Sequence, residues 1–245
     1  MLPDRLVSRH PFALDPVVND AVPEYGRQML LAEQLVLLTL DDDSGRKKLS
    51  GEKYGPALGA ALLVDLALME RISVAPQSAE RRARGRVTLT STKPTDDPEL
   101  DDVLAVLEKK EGVKIGTLIS DLSRTRITKG LHERLLQRLV KAGALCESRT
   151  DVLGLRRWPR ADPQPKEEIR RRLQSCLIGN EEPTERTVAL VSLLCATAGL
   201  DKVLPRADAG TRKAIIARAK AINDGDWAGA AVKAAIDEAH ASGIG

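Results

Sequence analysis

Two apolar runs decide the fold: residues 30–40 read Leu-Leu-Ala-Glu-Gln-Leu-Val-Leu-Leu-Thr-Leu, and residues 57–68 read Ala-Leu-Gly-Ala-Ala-Leu-Leu-Val-Asp-Leu-Ala-Leu. Leu and Ala are strong helix formers, so each run predicts a helix. We place the first helix from Gln28 to Leu40 and the second, buried on most sides, from Pro56 to Arg71. The second run is shorter than the ~20 residues that cross a bilayer, so no transmembrane segment is expected.

The composition agrees with a helical protein. The chain has 245 residues, 42% of them hydrophobic but only 2% aromatic. A core built from Leu, Ala, Val and Ile favours packed helices over a sandwich or a barrel. Residues 1–26 contain four prolines and no clear helical period, which predicts a loosely packed, flexible N-terminal extension. We therefore predict one mainly helical domain from residue 27 to residue 245.

In the rest of the chain, the sequence predicts short helices and strands separated by Pro and Gly residues. Ile72 to Val74 and Val87 to Thr90 have the β-branched alternation of short strands. Asp97 followed by Pro98 predicts a helix N-cap. The further predictions are a short helix at 115–122, a longer helix at 127–142, a hairpin pairing 145–149 with 152–156 across residues 150 and 151, and helices at 166–178, 184–198, 206–222 and 227–241.

Cysteine usage and the N-terminus indicate a cytoplasmic protein. Cys146, Cys176 and Cys195 are odd in number and lack metal-ligand spacing, so we interpret them as reduced core thiols. The first residues contain Pro3 and Asp4 and lack the continuous apolar stretch of a secretory signal.

Charge is concentrated in the middle of the chain. Residues 112–172 contain 15 Lys or Arg against 7 Asp or Glu, although the net charge of the whole chain is only +3. This excess predicts a basic surface that binds an anionic partner. The histidines, at positions 10, 132 and 240, are far apart and belong to no catalytic motif. We expect no enzymatic activity, no cofactor and no metal.

One hypothesis for the basic region is a winged helix at residues 112–158 that binds DNA. The helix at 127–142 would enter the major groove and the hairpin would form the wing. Against this hypothesis, the start of that helix offers Ile127, Thr128 and Gly130 where base-reading side chains are usual. The residues that would contact phosphates are Lys129, Arg134, Arg138, Lys141, Arg149, Arg156 and Arg157.

The other hypothesis is a peripheral membrane protein that holds a phosphorylated headgroup with the same cations. Leu153, Leu155 and Trp158, near the hairpin turn, would supply the apolar membrane contact, since Trp favours the membrane boundary. The alternative for these three side chains is that they cover the core.

Several stretches in order along the chain resemble the Golgi phosphoprotein 3 family. They are the two apolar runs, the strand at 71–74, the run from Arg86 to Leu104 that includes Pro94-Thr-Asp-Asp-Pro98, and Leu135-Leu-Gln-Arg-Leu-Val-Lys-Ala-Gly-Ala-Leu145. The resemblance implies a central helical bundle ringed by amphipathic helices. It also implies a non-enzymatic protein that binds phosphatidylinositol 4-phosphate on Golgi membranes, retains glycosyltransferases through their tails, and uses the hairpin for membrane insertion or self-association.

Carried over residue by residue, the family's headgroup pocket is only partly present. The family's Trp falls at Ser50 and its first Arg at Gly59, so two ligands are missing. The two later basic residues fall at Lys129 and His132, and His132 is expected to be charged only below a pKa near 6.5. We expect other cations to border the pocket and substitute in part: Arg134, Arg46, Lys47 and Lys48.

Overall fold

The computed structural model describes residues 28–49, 53–75, 79–149, 156–179, 181–204 and 207–223. Within these ranges the fold is mainly α-helical, as predicted, and no helix has both the length and the apolar character needed to cross a bilayer. The elements are α1 Leu31–Thr39, α2 Tyr54–Leu68, β1 Ile72–Val74, β2 Val87–Leu89, α3 Pro98–Leu107, α4 Ile115–Arg124, α5 Leu131–Lys141, β3 Ser148–Arg149, β4 Arg156–Arg157, α6 Gln164–Leu177, α7 Glu185–Ala196, α8 Leu200–Val203 and α9 Ala209–Asn223.

The two apolar runs form the centre of the fold. Every residue of α1 is buried, and α2 is buried over most of its length. A helix that is apolar all round must be covered on all sides. Accordingly, α1 packs against α2, α5, α6 and α7, while α2 also packs against α3, α4 and α7.

One buried carboxylate links three of these central elements. Asp65 on α2 accepts a hydrogen bond from the backbone N–H of Leu31 at 2.8 Å and pairs with the Arg186 guanidinium at 2.8 Å. Burial raises the pKa of Asp65 to about 6, and the charge of Arg186 opposes that shift. The Asp65 carboxylate therefore fixes the start of α1 and the start of α7 against the last turn of α2.

A second ionic cluster lies around Arg138 on α5. Its guanidinium donates to Glu33 Oε1 at 2.8 Å and to both carboxylate oxygens of Asp97, at 2.6 and 3.1 Å. Each carboxylate also caps a helix, since Glu33 accepts from the Leu30 N–H and Asp97 from the Glu99 N–H. Arg138 therefore connects the N-terminal ends of α1 and α3 to the side of α5.

The first strand pair matches the prediction, whereas the register predicted for the hairpin is wrong. Strands β1 and β2 are antiparallel, with Ile72 opposite Leu89. Strands β3 and β4 pair Ser148 with Arg157 and Arg149 with Arg156, so their connection spans residues 150–155 instead of two residues. Two contacts at the base of the hairpin, the end away from its connection, set this register. Leu145 is bridged to Arg160, and the Cys146 N–H donates to the Pro159 carbonyl at 2.9 Å.

The predicted long helix at 127–142 starts later than expected, at Leu131. Gly130 has a φ of +75°, so the chain leaves the helical conformation there. Residues 125–130 instead form a turn, in which the Thr128 hydroxyl donates to the Leu122 carbonyl at 2.5 Å. This turn, which follows α4 and precedes α5, carries Lys129.

Other boundaries shift by a few residues, and Thr184 is the N-cap of α7. The short helix α8 was not predicted. Cys176 is buried and Cys195 half-buried, but Cys146 is exposed, so the interpretation of all three as core thiols is wrong for Cys146. The extension at 1–26 and the predicted helix at 227–241 lie outside the described residues.

Replacing Arg138 tests the ionic cluster. Arg138→Met should lower the free energy of unfolding by about 3 kcal/mol, because it leaves two buried carboxylates without their guanidinium partner. The measurement is urea unfolding followed by circular dichroism. Lys141→Met on the same helix is the matched control and should change stability by less than about 0.5 kcal/mol, since Lys141 is exposed. Equal effects of the two substitutions would contradict the role given to Arg138.

Candidate functional site

Tyr54, the first residue of α2, brings together two of the predicted site regions. Its hydroxyl lies 3.3 Å from His132 Nδ1 and 3.3 Å from the hydroxyl of Thr39. The Lys47 ammonium lies 5.8 Å from the centre of the Tyr54 ring, within the range of a cation–π contact. Tyr54 therefore joins the loop that carries Lys47 to the first turn of α5. Sequence reasoning missed this residue, because a lone Tyr at a helix start carries no motif.

His132 differs from expectation in its charge state. Burial, together with the positive charge of Lys47, lowers the pKa of His132 to about 4, whereas the sequence led us to expect a value near 6.5. The imidazole is therefore neutral at physiological pH. It serves as a hydrogen-bonding partner of Tyr54 and adds no positive charge to the surface.

Gly59 and Lys129 lie on facing elements. A Cβ atom added at Gly59 would be 3.6 Å from the Thr128 side-chain methyl group, so α2 faces the turn between α4 and α5 at this point. Lys129, the next residue of that turn, is exposed. Ser50, where the resemblance places the family's Trp, lies outside the described residues.

Two further exposed cations, which were not predicted as site residues, lie next to Lys129: Arg124 at the end of α4 and Arg126 in the turn. Neither forms an ion pair with another described residue. The spacing Arg124, Arg126, Lys129, which places three cations within one turn, is the sequence signal that would have identified them.

The Arg134 side chain forms hydrogen bonds with other groups of the protein. Its guanidinium donates to both carboxylate oxygens of Glu99 at 2.7 Å, and to the backbone carbonyls of Lys129 at 3.0 Å and of Ile127 at 2.5 Å. The hydrogen bonds to Glu99 raise the pKa of Arg134 further. The contacts to the two carbonyls show that Arg134 holds the turn that presents Lys129.

The loop that follows α1 is packed tightly at one end. Gly45 has a φ of +59°, and a Cβ there would come within 2.3 Å of the Trp158 backbone. This close approach fixes the loop against the chain that leaves the hairpin. Lys48 pairs with Asp41 at 3.6 Å, while Arg46 and Lys47 are exposed. Of the three loop cations, Lys47 is thus the one brought next to Tyr54.

The base of the hairpin packs beside this region. Arg156 pairs with Glu133, the neighbour of His132, and with Glu147 at 2.7 Å. Its guanidinium also covers the Trp158 ring at 5.5 Å from the ring centre. Trp158 itself is half-buried and packs against the core, in agreement with the core-covering alternative for this side chain. Leu153 and Leu155 lie outside the described residues.

Comparison with known proteins gives one consistent result. The sequence profile of the family described as Golgi phosphoprotein 3 (GPP34) matches residues 31–239 of this chain. The Vacuolar protein sorting-associated protein 74 of Eremothecium gossypii is 27% identical over 243 residues, covering 86% of this chain and 72% of that protein. The matched range of the profile contains every described helix and strand.

The charge state of His132 can be measured directly. An NMR titration of the imidazole should give a pKa of about 4, and Lys47→Gln should raise it because a neighbouring positive charge is removed. Since the unfolded chain titrates near 6.5, it binds the extra proton first, so the free energy of unfolding should fall as the pH drops from about 6.5 to about 4. A measured pKa near 6.5 in the folded protein would contradict the burial and the Tyr54 contact.

Proposed function

The chain belongs to the Golgi phosphoprotein 3 family, and on that premise we propose that it is a non-enzymatic peripheral membrane protein that binds anionic lipid headgroups. Phosphatidylinositol 4-phosphate is the first candidate, because the family resemblance implies it. The observation that carries the proposal is the convergence of Lys47, Tyr54 and His132 beside the turn that exposes Lys129. We call the exposed cations of this region the headgroup surface: Arg46, Lys47, Arg124, Arg126 and Lys129.

Charge and geometry support this role. Every member of the headgroup surface is exposed. A Lys or Arg near an anionic membrane contributes about 1 kcal/mol, so five such residues can hold the protein reversibly. Because the family's Trp and first Arg are absent and His132 is neutral, we expect charge-dependent binding with modest selectivity among headgroups.

The hairpin supplies the apolar part of the proposal. Its base is anchored to the first turn of α5 by the pair between Arg156 and Glu133. The connection at 150–155, which contains Leu153 and Leu155, therefore follows directly from a segment that borders the headgroup surface. We propose that these two leucines enter the interface, where they add apolar burial to the electrostatic attraction.

The family resemblance also implies two further partners. They are the tails of membrane-protein clients and a second copy of the chain bound through the hairpin. In this proposal, either partner would be engaged by the membrane-bound protein.

The DNA-binding hypothesis receives less support from the geometry. Two arginines of its proposed recognition helix are committed to internal carboxylates, Arg134 to Glu99 and Arg138 to Glu33 and Asp97. A helix whose arginines point into ion pairs has few cations left for phosphates. On the helix itself Lys141 is exposed, but three exposed cations, Arg124, Arg126 and Lys129, lie at or in the turn before it, where a planar membrane can reach them.

Liposome co-sedimentation tests the headgroup surface. Wild-type protein should sediment with vesicles that contain phosphatidylinositol 4-phosphate, and Lys47→Gln with Lys129→Gln should weaken binding by roughly 30-fold, since two cations worth about 1 kcal/mol each are lost. The matched control is Lys213→Gln with Lys220→Gln on α9, which removes the same charge from another exposed face.

Vesicles with phosphatidylserine at equal surface charge measure selectivity. Equal binding to both lipids would reduce the proposal to nonspecific electrostatics. Absence of binding to either lipid, or equal losses in the two double variants, would refute it.

A second experiment tests the hairpin. Leu153→Asp with Leu155→Asp should abolish most vesicle binding, because charged side chains oppose insertion into the interface, while the thermal midpoint should change little. A fall in the thermal midpoint comparable to that of a core substitution would instead show that these leucines cover the core.

A further inference from the structure

A second basic surface lies apart from the headgroup surface and is not used by the proposed function. It is formed by residues 79–86, which precede β2, and by the residue that precedes α4. We call it the arginine ribbon and define it by Arg81, Arg82, Arg84, Arg86 and Lys114, all of which are exposed.

Backbone hydrogen bonds hold the ribbon in a defined shape. The Ala75 N–H donates to the Arg86 carbonyl at 3.0 Å, and the Gly85 N–H to the Ala75 carbonyl at 2.9 Å. On the other side, the Ile115 N–H donates to the Gly85 carbonyl at 2.7 Å. Arg86 is also bridged to Lys114, so the two basic segments are adjacent.

Two of the arginine side chains donate hydrogen bonds to backbone carbonyls. Arg84 Nε donates to the Ala79 carbonyl at 2.8 Å and Arg86 Nε to the Arg82 carbonyl at 2.7 Å. Arg86 Nη1 also donates to the Gly112 carbonyl. Both arginines are nevertheless exposed, and no member of the ribbon forms an ion pair with another described residue. The ribbon is thus a fixed row of cations that lacks a carboxylate partner in the described part of the chain.

The ribbon lies at the opposite end of two helices from the headgroup surface. Helix α2 runs from Tyr54, beside Lys47, to Leu68, close to the start of β1, a length of about 21 Å at 1.5 Å per residue. Helix α4 runs from the ribbon to Arg124, about 15 Å. A membrane that contacts one end of these helices leaves the other end free for a different partner.

We propose that the arginine ribbon binds an acidic segment of a partner protein. A guanidinium presents two parallel N–H donors that match a carboxylate, and four of the five ribbon cations are arginines. Nucleic acid fits less well, because no aromatic side chain lies within residues 79–89 or 112–115 to stack on bases, and no helix displays the cations toward a groove. This surface is independent of lipid binding.

Fluorescence anisotropy with a labelled twelve-residue peptide of alternating Glu and Ser tests the proposal on the full chain. Arg81→Glu with Arg82→Glu should weaken peptide binding by about tenfold, since each reversal removes an ion pair and adds a repulsion. These two side chains make no hydrogen bond to other described residues, so folding should be preserved, which a thermal melt verifies. Lys213→Glu with Lys220→Glu makes the same charge change elsewhere and should leave the affinity within about twofold of wild type.

The other outcomes overturn the inference. Equal weakening by both double variants would mean that only net charge matters. Tighter binding of a random 20-base-pair duplex than of the peptide, lost in the Arg81 and Arg82 variant, would identify a nucleic-acid surface. Loss of vesicle binding in that variant would make the ribbon part of the membrane face. Because the headgroup surface is tested with Lys47 and Lys129, failure of either proposal is distinguishable from failure of the other.

Discussion

The placement of α5 depends on one guanidinium group, that of Arg138. It is bound by two carboxylates that also cap α1 and α3, so two helix N-termini meet the side of α5 at one charge centre. Moving α5 would leave buried carboxylates without their guanidinium partner in surroundings that cannot solvate them, which costs free energy. Four residues before it, Arg134 extends the same arrangement to Glu99 and to the turn that carries Lys129. Ion pairs thus fix one side of α5, next to its buried leucines, and the turn before it presents cations outward.

The excess of Lys and Arg at residues 112–172 is larger than the number of cations available to bind a partner. Many of its cations are partners of nearby carboxylates: Arg134, Arg138, Arg156, Arg160, Lys166 and Arg170 all form ion pairs. Lys166 is fully buried, where its ammonium holds the Leu40 carbonyl and Asp42. Among the described cations of this range, those that form no ion pair with another described residue include Arg124, Arg126 and Lys129, around the turn after α4, and Lys114 in the ribbon before it. A count along the sequence gives the sign of the surface but does not separate structural cations from available ones.

The fold was largely predictable, because local signals agree with it. Continuous Leu and Ala runs fixed the central helices, and Asp97 with Pro98 fixed the start of α3. Predictions failed where distant contacts decide the outcome. The hairpin register depends on the bridge between Leu145 and Arg160, and the start of α5 depends on a positive φ at Gly130. At the candidate site, the resemblance indicated Lys129 and His132, but the neutral state of His132 comes from burial and Lys47, which a sequence does not reveal.

The space around Gly59 determines which substitutions the helix packing at this position tolerates. Gly59 is buried, and the Thr128 methyl group and Leu122 Cβ lie 3.6 and 4.0 Å from where its Cβ would be. The added methyl group of an alanine would make ordinary van der Waals contacts there, without displacing the backbone. The packing of α2 against the turn between α4 and α5 therefore does not by itself require a glycine at this position.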